Sequence, residues 1–110
     1  MTVTTYGGRS VAQLRRRTAE LYGFTCHLCG RPIASLAELE PDHLIPRNVR
    51  PDLAFDLTNV RPAHGTLSVE RCNQRRGSDP DLDAVRRRLG NPLARRVDGS
   101  SFFSSAPRLE

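Results

Sequence analysis

Cys26 and Cys29 stand two residues apart in the run CHLCG, with Gly30 directly after the second thiol. That spacing is the usual knuckle that presents two thiolates to one zinc ion. A tetrahedral site needs two further ligands from a distant element. Cys72 is the only other thiol, and His64 is the best fourth ligand, giving Cys26, Cys29, His64 and Cys72. The stretch GTLSVER separates His64 from Cys72, seven residues where roughly two to five are usual. Either that stretch bulges out as a loop or His64 is not a ligand. Three cysteines cannot pair completely, so a disulfide framework is disfavoured. A redox role for the pair would need a thioredoxin-like strand and helix around it, which the pattern does not offer.

Between the two halves of that cluster lies PDHLIP. Asp42 and His43 are adjacent there, a carboxylate suited to a hard divalent cation beside an imidazole suited to proton transfer. Asn73 directly follows Cys72 on an expected helix, where consecutive side chains diverge by about 100°. Cys72 can then face the zinc while Asn73 turns toward Asp42, the two oxygens forming a partial cage for the cation. Adjacent strand residues point to opposite faces, so Asp42 and His43 converge only where a ribbon twists or bends. Taken singly, each residue has a plainer reading: Asp42 and Asn59 in turns, His43 in a core, Asn73 on a helix surface.

The elements that would position these groups are short. Residues 1–9 read as a loose arm. A helix is expected from Ser10, its N-cap, with Val11, Leu14, Leu21 and Tyr22 on one face, Arg15, Arg16 and Arg17 on the other, and Gly23 as its stop. Residues 24–33 read as two short strands around a tight turn, and 34–40 as a single helical turn. Pro41 to Pro46 reads as a short strand bracketed by prolines, Arg47 to Phe55 as a polar loop, and Leu57 to Arg61 as an extended piece. A short helix is expected over 69–76 with Ser68 as cap, and a last helix over 80–89 capped by Ser78 or Asp79, with Leu82, Val85 and Leu89 on one face. His27, inside the knuckle, is expected to be exposed. Residues 93–110 read as a mobile tail in which Phe102 and Phe103 could dock.

At 110 residues this is one domain, with 37% hydrophobic residues, 5% aromatics and no tryptophan. A core that lean argues against a large apolar ligand cavity and for a staple such as a metal. No window approaches the ~20 apolar residues of a membrane span, and the opening MTVTTYGGRSVAQLRRR has no apolar signal-peptide stretch. A cytoplasmic protein of a bacterial or phage-infected cell, with no membrane partner, is therefore expected. Seventeen basic residues against twelve acidic give +5, and all seventeen are arginine. A basic balance of that size suits a polyanion, and arginine's planar fork can grip phosphate bidentately.

The ordered set C-x2-C, D-H-L-I-P, a central Asn and C-N-x2-R-R-G resembles the HNH endonuclease family, most of all its small stand-alone, zinc-stabilised members from bacteriophages and bacteria. The likeness covers about residues 10–77, within a domain of 10–92 whose motif core is 24–77. It implies a small α+β fold: a ββα-metal, treble-clef-like finger with flanking helices around a structural Zn2+. It also implies a DNA endonuclease in which His43 is the general base, Asn59 orients it, and Asp42 and Asn73 hold Mg2+ or another divalent cation. Arg47, Arg75 and Arg76 would contact phosphates of double-stranded DNA, and the products would carry 5′-phosphate and 3′-hydroxyl ends. Two other classes remain: a non-catalytic zinc-knuckle nucleic-acid-binding module, and a structural part with a protein partner, as in a phage packaging assembly.

Overall fold

The computed structural model describes residues 8–94, so the expected arm at 1–7 and the tail at 95–110, with Phe102 and Phe103, lie outside the described residues. The architecture is small α+β: helix α1 (Gly8–Tyr22), an antiparallel pair of strands β1 (Leu39–His43) and β2 (Val60–His64), then two short helices, α2 (Cys72–Arg76) and α3 (Leu82–Arg88). Among the described residues no helix is long and apolar enough to cross a membrane.

Helix α1 starts two residues before Ser10, and its buried stripe differs from the expected one. Leu14, Thr18 and Ala19 are buried, whereas Leu21 is 59% exposed. The Thr18 hydroxyl donates to the Leu14 carbonyl at 2.6 Å, which lets a polar side chain sit in the interface. Positions 11, 15, 18 and 22 share one side of the helix by their three- and four-residue spacing, so Arg15 joins the half-buried side rather than the solvent face. Gly23, at φ +83°, ends the helix and returns its N–H to the Ala19 carbonyl at 2.8 Å. Tyr22 then anchors the helix to β2: Arg61 donates to its hydroxyl at 2.9 Å and lies 4.4 Å from its ring centroid.

The strands are displaced from their expected places. β1 spans 39–43 rather than 41–46, and β2 spans 60–64 rather than 57–61, where Leu57–Asn59 is instead a 3-10 turn. Pro41, expected to bracket a strand, sits at its middle and faces Pro62 across the ribbon, while Pro46 lies beyond its end. Two residues without N–H groups can face each other only where no ladder hydrogen bond is needed. Every residue of β1 except Glu40 is buried, because α1 packs on the ribbon while the knuckle and α2 close it from elsewhere. Both faces are covered, so side chains at 42 and 43 leave in opposite directions without converging.

Leu28, Ile33, Leu39, Ala63, Val85 and Leu89 form the core together with the three cysteines. The knuckle holds one bridge, Thr25 to Pro32, rather than two strands, and Gly30 at φ +81° makes its turn. α3 begins at Leu82, where the Asp81 carboxylate accepts from the Ala84 N–H at 3.0 Å; neither Ser78 nor Asp79 is the cap. Beyond α3, the Asn91 amide donates to the Leu28 carbonyl at 3.1 Å and seats the chain end against the knuckle.

Candidate metal centre and the adjoining cleft

Cys26 and Cys29 come from the knuckle, His64 from the end of β2 and Cys72 from the first turn of α2. Their ligand atoms all lie within 4.8 Å of one another, and all four residues are buried. His64 Nδ1 is 3.4 Å from the Cys29 sulfur and 3.6 Å from that of Cys72. Metal–ligand lengths of about 2.3 Å to sulfur and 2.0 Å to nitrogen give a tetrahedral N···S edge of about 3.5 Å. The spacing is therefore that of a ligand shell. His64 Nε2–H donates to the Pro32 carbonyl at 2.9 Å, which leaves the lone pair on Nδ1, turned toward the thiols. Burial pushes the Cys26 and Cys72 thiols up, and the nearness of Cys26 pushes Cys72 further. Without a cation these thiols stay protonated; a soft cation releases the protons. The buried Cys3His cluster can hold a structural metal such as zinc.

The seven-residue interval from His64 to Cys72 bulges out as a loop while His64 keeps its place. Ser68, expected as a helix cap, closes a turn ahead of α2: its hydroxyl donates to the Gly65 carbonyl at 2.9 Å and accepts from the Arg71 N–H at 3.0 Å. Glu40 fastens the loop from β1. One carboxylate oxygen accepts from the Thr66 N–H and hydroxyl at 2.9 and 2.8 Å, and the other from the amides of Asn73 and Gln74 at 2.9 and 2.8 Å. Partial burial works to raise Glu40, but these four donors outweigh it and hold its carboxyl down at about 2. Gly65 is obligatory beside it, since a Cβ there would lie 2.3 Å from the Glu40 Cγ.

His43 borders a cleft of about 320 Å³ with Val11, Arg15, Glu40, Arg47 and Asn73 among its walls. Its Nε2–H donates to the Ala54 carbonyl at 2.8 Å, an acceptor that fixes the tautomer and leaves the basic lone pair on Nδ1. Burial holds the imidazole below its ordinary value of 6.5, only partly offset by the Ala54 carbonyl. A neutral imidazole at physiological pH follows. Asn59, expected to orient His43 directly, spends its amide on the main chain: its oxygen accepts from the Ile45 N–H at 3.0 Å, and its nitrogen donates to the Ile45 carbonyl at 3.1 Å. It pins the start of the loop that carries Ala54, so its link to His43 runs through that loop.

Asp42, expected as a cation ligand, is engaged by other side chains. It is 3% exposed and does not border the cleft. Arg76 donates to both of its oxygens at 2.8 and 2.9 Å, and His27 Nε2–H donates to one at 2.6 Å. The expected cage of Asp42 and Asn73 is not assembled, because Asn73 donates to Glu40 while Asp42 is taken by Arg76 and His27. As placed, Asp42 does not fit a cation ligand; its charge is already balanced by a buried guanidinium. Arg76, expected at a phosphate, is itself 3% exposed and also donates to the Leu44 carbonyl at 2.9 Å. His27, expected to be exposed, is half-buried: Arg86 donates to its Nδ1 at 3.0 Å, and burial lowers its pKa against the pull of Asp42. Arg47 and Arg75 are exposed, Arg47 at the cleft. Sequence reading missed Glu40 and His27 as organising groups. Glu40 shares the two-residue strand period with Asp42, the one signal that could have marked it.

No family model, curated protein or solved structure matches this chain.

Proposed function

We propose that the chain is a metal-dependent DNA endonuclease of the HNH kind, with His43 as general base. The observation that carries this reading is the state of His43: a neutral imidazole, its tautomer fixed by a main-chain carbonyl, bordering a cleft that also holds arginines and a carboxylate. A satisfied core histidine has no need of a cleft. The succession β1, β2, α2 supports a ββα-metal finger, with the Cys3His cluster holding structural zinc where ribbon and helix meet.

In this reading His43 Nδ1 takes a proton from water, and the resulting hydroxide attacks the phosphorus of a DNA phosphodiester. The bond to the 3′ oxygen breaks and that oxygen takes a proton from solvent water, leaving 5′-phosphate and 3′-hydroxyl ends. Glu40 and Asn73 border the cleft, and a carboxylate and an amide oxygen suit Mg2+. They would hold the divalent cation in place of Asp42 only by giving up the donors from Thr66, Asn73 and Gln74 that fill both Glu40 oxygens. When bound, such a cation neutralises phosphate charge and stabilises the departing oxygen. Arg47 and Arg75 lie exposed to flanking phosphates, and binding should weaken steeply with salt.

The test is conversion of supercoiled plasmid by the purified protein in Mg2+, Mn2+ or EDTA, with His43→Ala beside wild type. Cutting that needs the ion and falls by roughly 100-fold or more in the variant is the expected result. Normal cutting by His43→Ala would remove the assignment. A second reading, a zinc-knuckle module that binds nucleic acid without cutting, is favoured by one observation: both carboxylates nearest His43 are already fully engaged by donors. Tight DNA binding with no cleavage under any ion would select it.

A further inference from the structure

We infer that Arg15 of α1 is the phosphate-gripping side chain of the cleft at His43, its ligand being the phosphodiester backbone of DNA; the inference rests on the nuclease reading above.

Arg15 is set apart by its bonding. Its Nε is buried and has no hydrogen-bond partner, the one such side-chain nitrogen or oxygen among the described residues. Leaving a buried donor unsatisfied is costly, more so on a charged group, so folded proteins rarely keep one without a use. The neighbouring carboxylate does not relieve it, because both oxygens of Glu40 are taken by Thr66, Asn73 and Gln74. Asp42 is likewise consumed by Arg76 and His27. The protein thus places a guanidinium in a cleft beside a neutral imidazole, where the one carboxylate of the lining is already engaged by other donors. Because Nε itself is buried, an anion arriving from outside would meet the outer nitrogens of this guanidinium at the cleft.

The site also selects the kind of anion. A guanidinium offers N–H donors in a planar fork that matches two oxygens of one phosphate. Arg15 and Arg47 both border the cleft with His43, so a phosphate gripped by Arg15 lies beside the base that would activate water. Its place on α1 explains why this one arginine of the run 15–17 is committed. Arg16 and Arg17 are exposed, whereas Arg15 shares the half-buried side of Val11 and Thr18.

The experiment records arginine Nε–H signals by NMR in the zinc-loaded protein without Mg2+, before and after adding a short DNA duplex, and separately inorganic phosphate. The Arg15 signal is identified by its absence in Arg15→Lys. It should shift on duplex addition, and Arg15→Gln should reduce the salt slope of duplex binding by about one phosphate contact. Arg15→Gln should also lower plasmid cleavage by about 100-fold, partly recovered in Arg15→Lys, with zinc content and Tm kept. An Arg15 signal unmoved by saturating duplex, with an unchanged salt slope, overturns the inference. So does a signal that moves with inorganic phosphate but not with duplex, which would assign a small phosphate ligand. If wild type never cuts plasmid yet the Arg15 signal shifts with duplex, the nuclease reading fails and the phosphate grip stands. If cutting needs His43 but Arg15→Gln cuts normally, the reverse holds.

Discussion

The Cys3His cluster and the His43 cleft lie on the same ribbon and are built by opposite rules. In the cluster, four side chains bring their donor atoms together at a spacing that suits one metal ion. In the cleft, Glu40 is held by Thr66, Asn73 and Gln74 and the Nε of Arg15 has no partner, while Asp42, outside the cleft, is held by Arg76 and His27. A structural metal site gains stability from closing its shell. A reactive cleft has to keep charge available, and it does so by denying its members to one another.

The largest expected effect strikes the first region. Chelation, or Cys72→Ser, should abolish the cooperative thermal transition, since structural zinc contributes on the order of 10 kcal/mol in small fingers. Metal analysis should return one zinc per chain, and adding zinc to the chelated protein should release protons from the raised thiols. A chelated protein that melts unchanged would erase the distinction between the two regions.

Next comes the buried pair that separates them. Asp42→Ala or Arg76→Ala strands one charge at a site where both residues are about 3% exposed, and each should cost about 3–5 kcal/mol by denaturant unfolding. Asp42→Leu with Arg76→Met should cost much less than the sum of the single changes. Glu40→Gln should also lower Tm at neutral pH, because it removes the charge that four donors hold down at about 2, and the loss should shrink as pH falls toward that value. If Asp42→Asn instead lost cutting while keeping full stability, the cation would belong with Asp42 after all.

The pH dependence sharpens the contrast from the other side. Burial keeps His43 below 6.5, so the neutral base persists as pH falls past that value and is lost only when it protonates. The acid limb of kcat/KM should have its midpoint below pH 6.5, measured where zinc content is constant. A midpoint above 6.5 would mean that an anion in the working cleft outweighs burial. The smallest effect is local. Arg71 holds a left-handed backbone, φ +48°, just before Cys72. Arg71→Gly should raise Tm by roughly 2–4 °C, the strain relieved slightly exceeding glycine's entropy cost.

The cluster was legible because thiols have few uses and CxxC has a fixed geometry; even the long interval to Cys72 left His64 in place. The rest depended on long-range partners that spacing does not show. Asp42 reads as a metal ligand until Arg76, 34 residues on, takes both of its oxygens. The strands slipped because Pro41 and Pro46 look like brackets, whereas a proline can also face a proline mid-ribbon. Arg15 was grouped with its arginine neighbours although its four-residue distance from Val11 puts it on the packed side. The orienting acceptor for His43 is a main-chain atom of Ala54, which no side-chain pattern reveals.

The order of the ligands along the chain has a consequence for when the cleft can exist. Cys29 and His64 become the two ends of a closed loop once a metal joins them, and Glu40, His43, Arg47 and Asn59 all lie inside it. Before closure that segment is an unconstrained chain whose groups meet only by chance. If a metal closes that loop, a freshly synthesised copy would assemble the cleft only on capturing it, and metal supply would act as the arming step for whatever this cleft does.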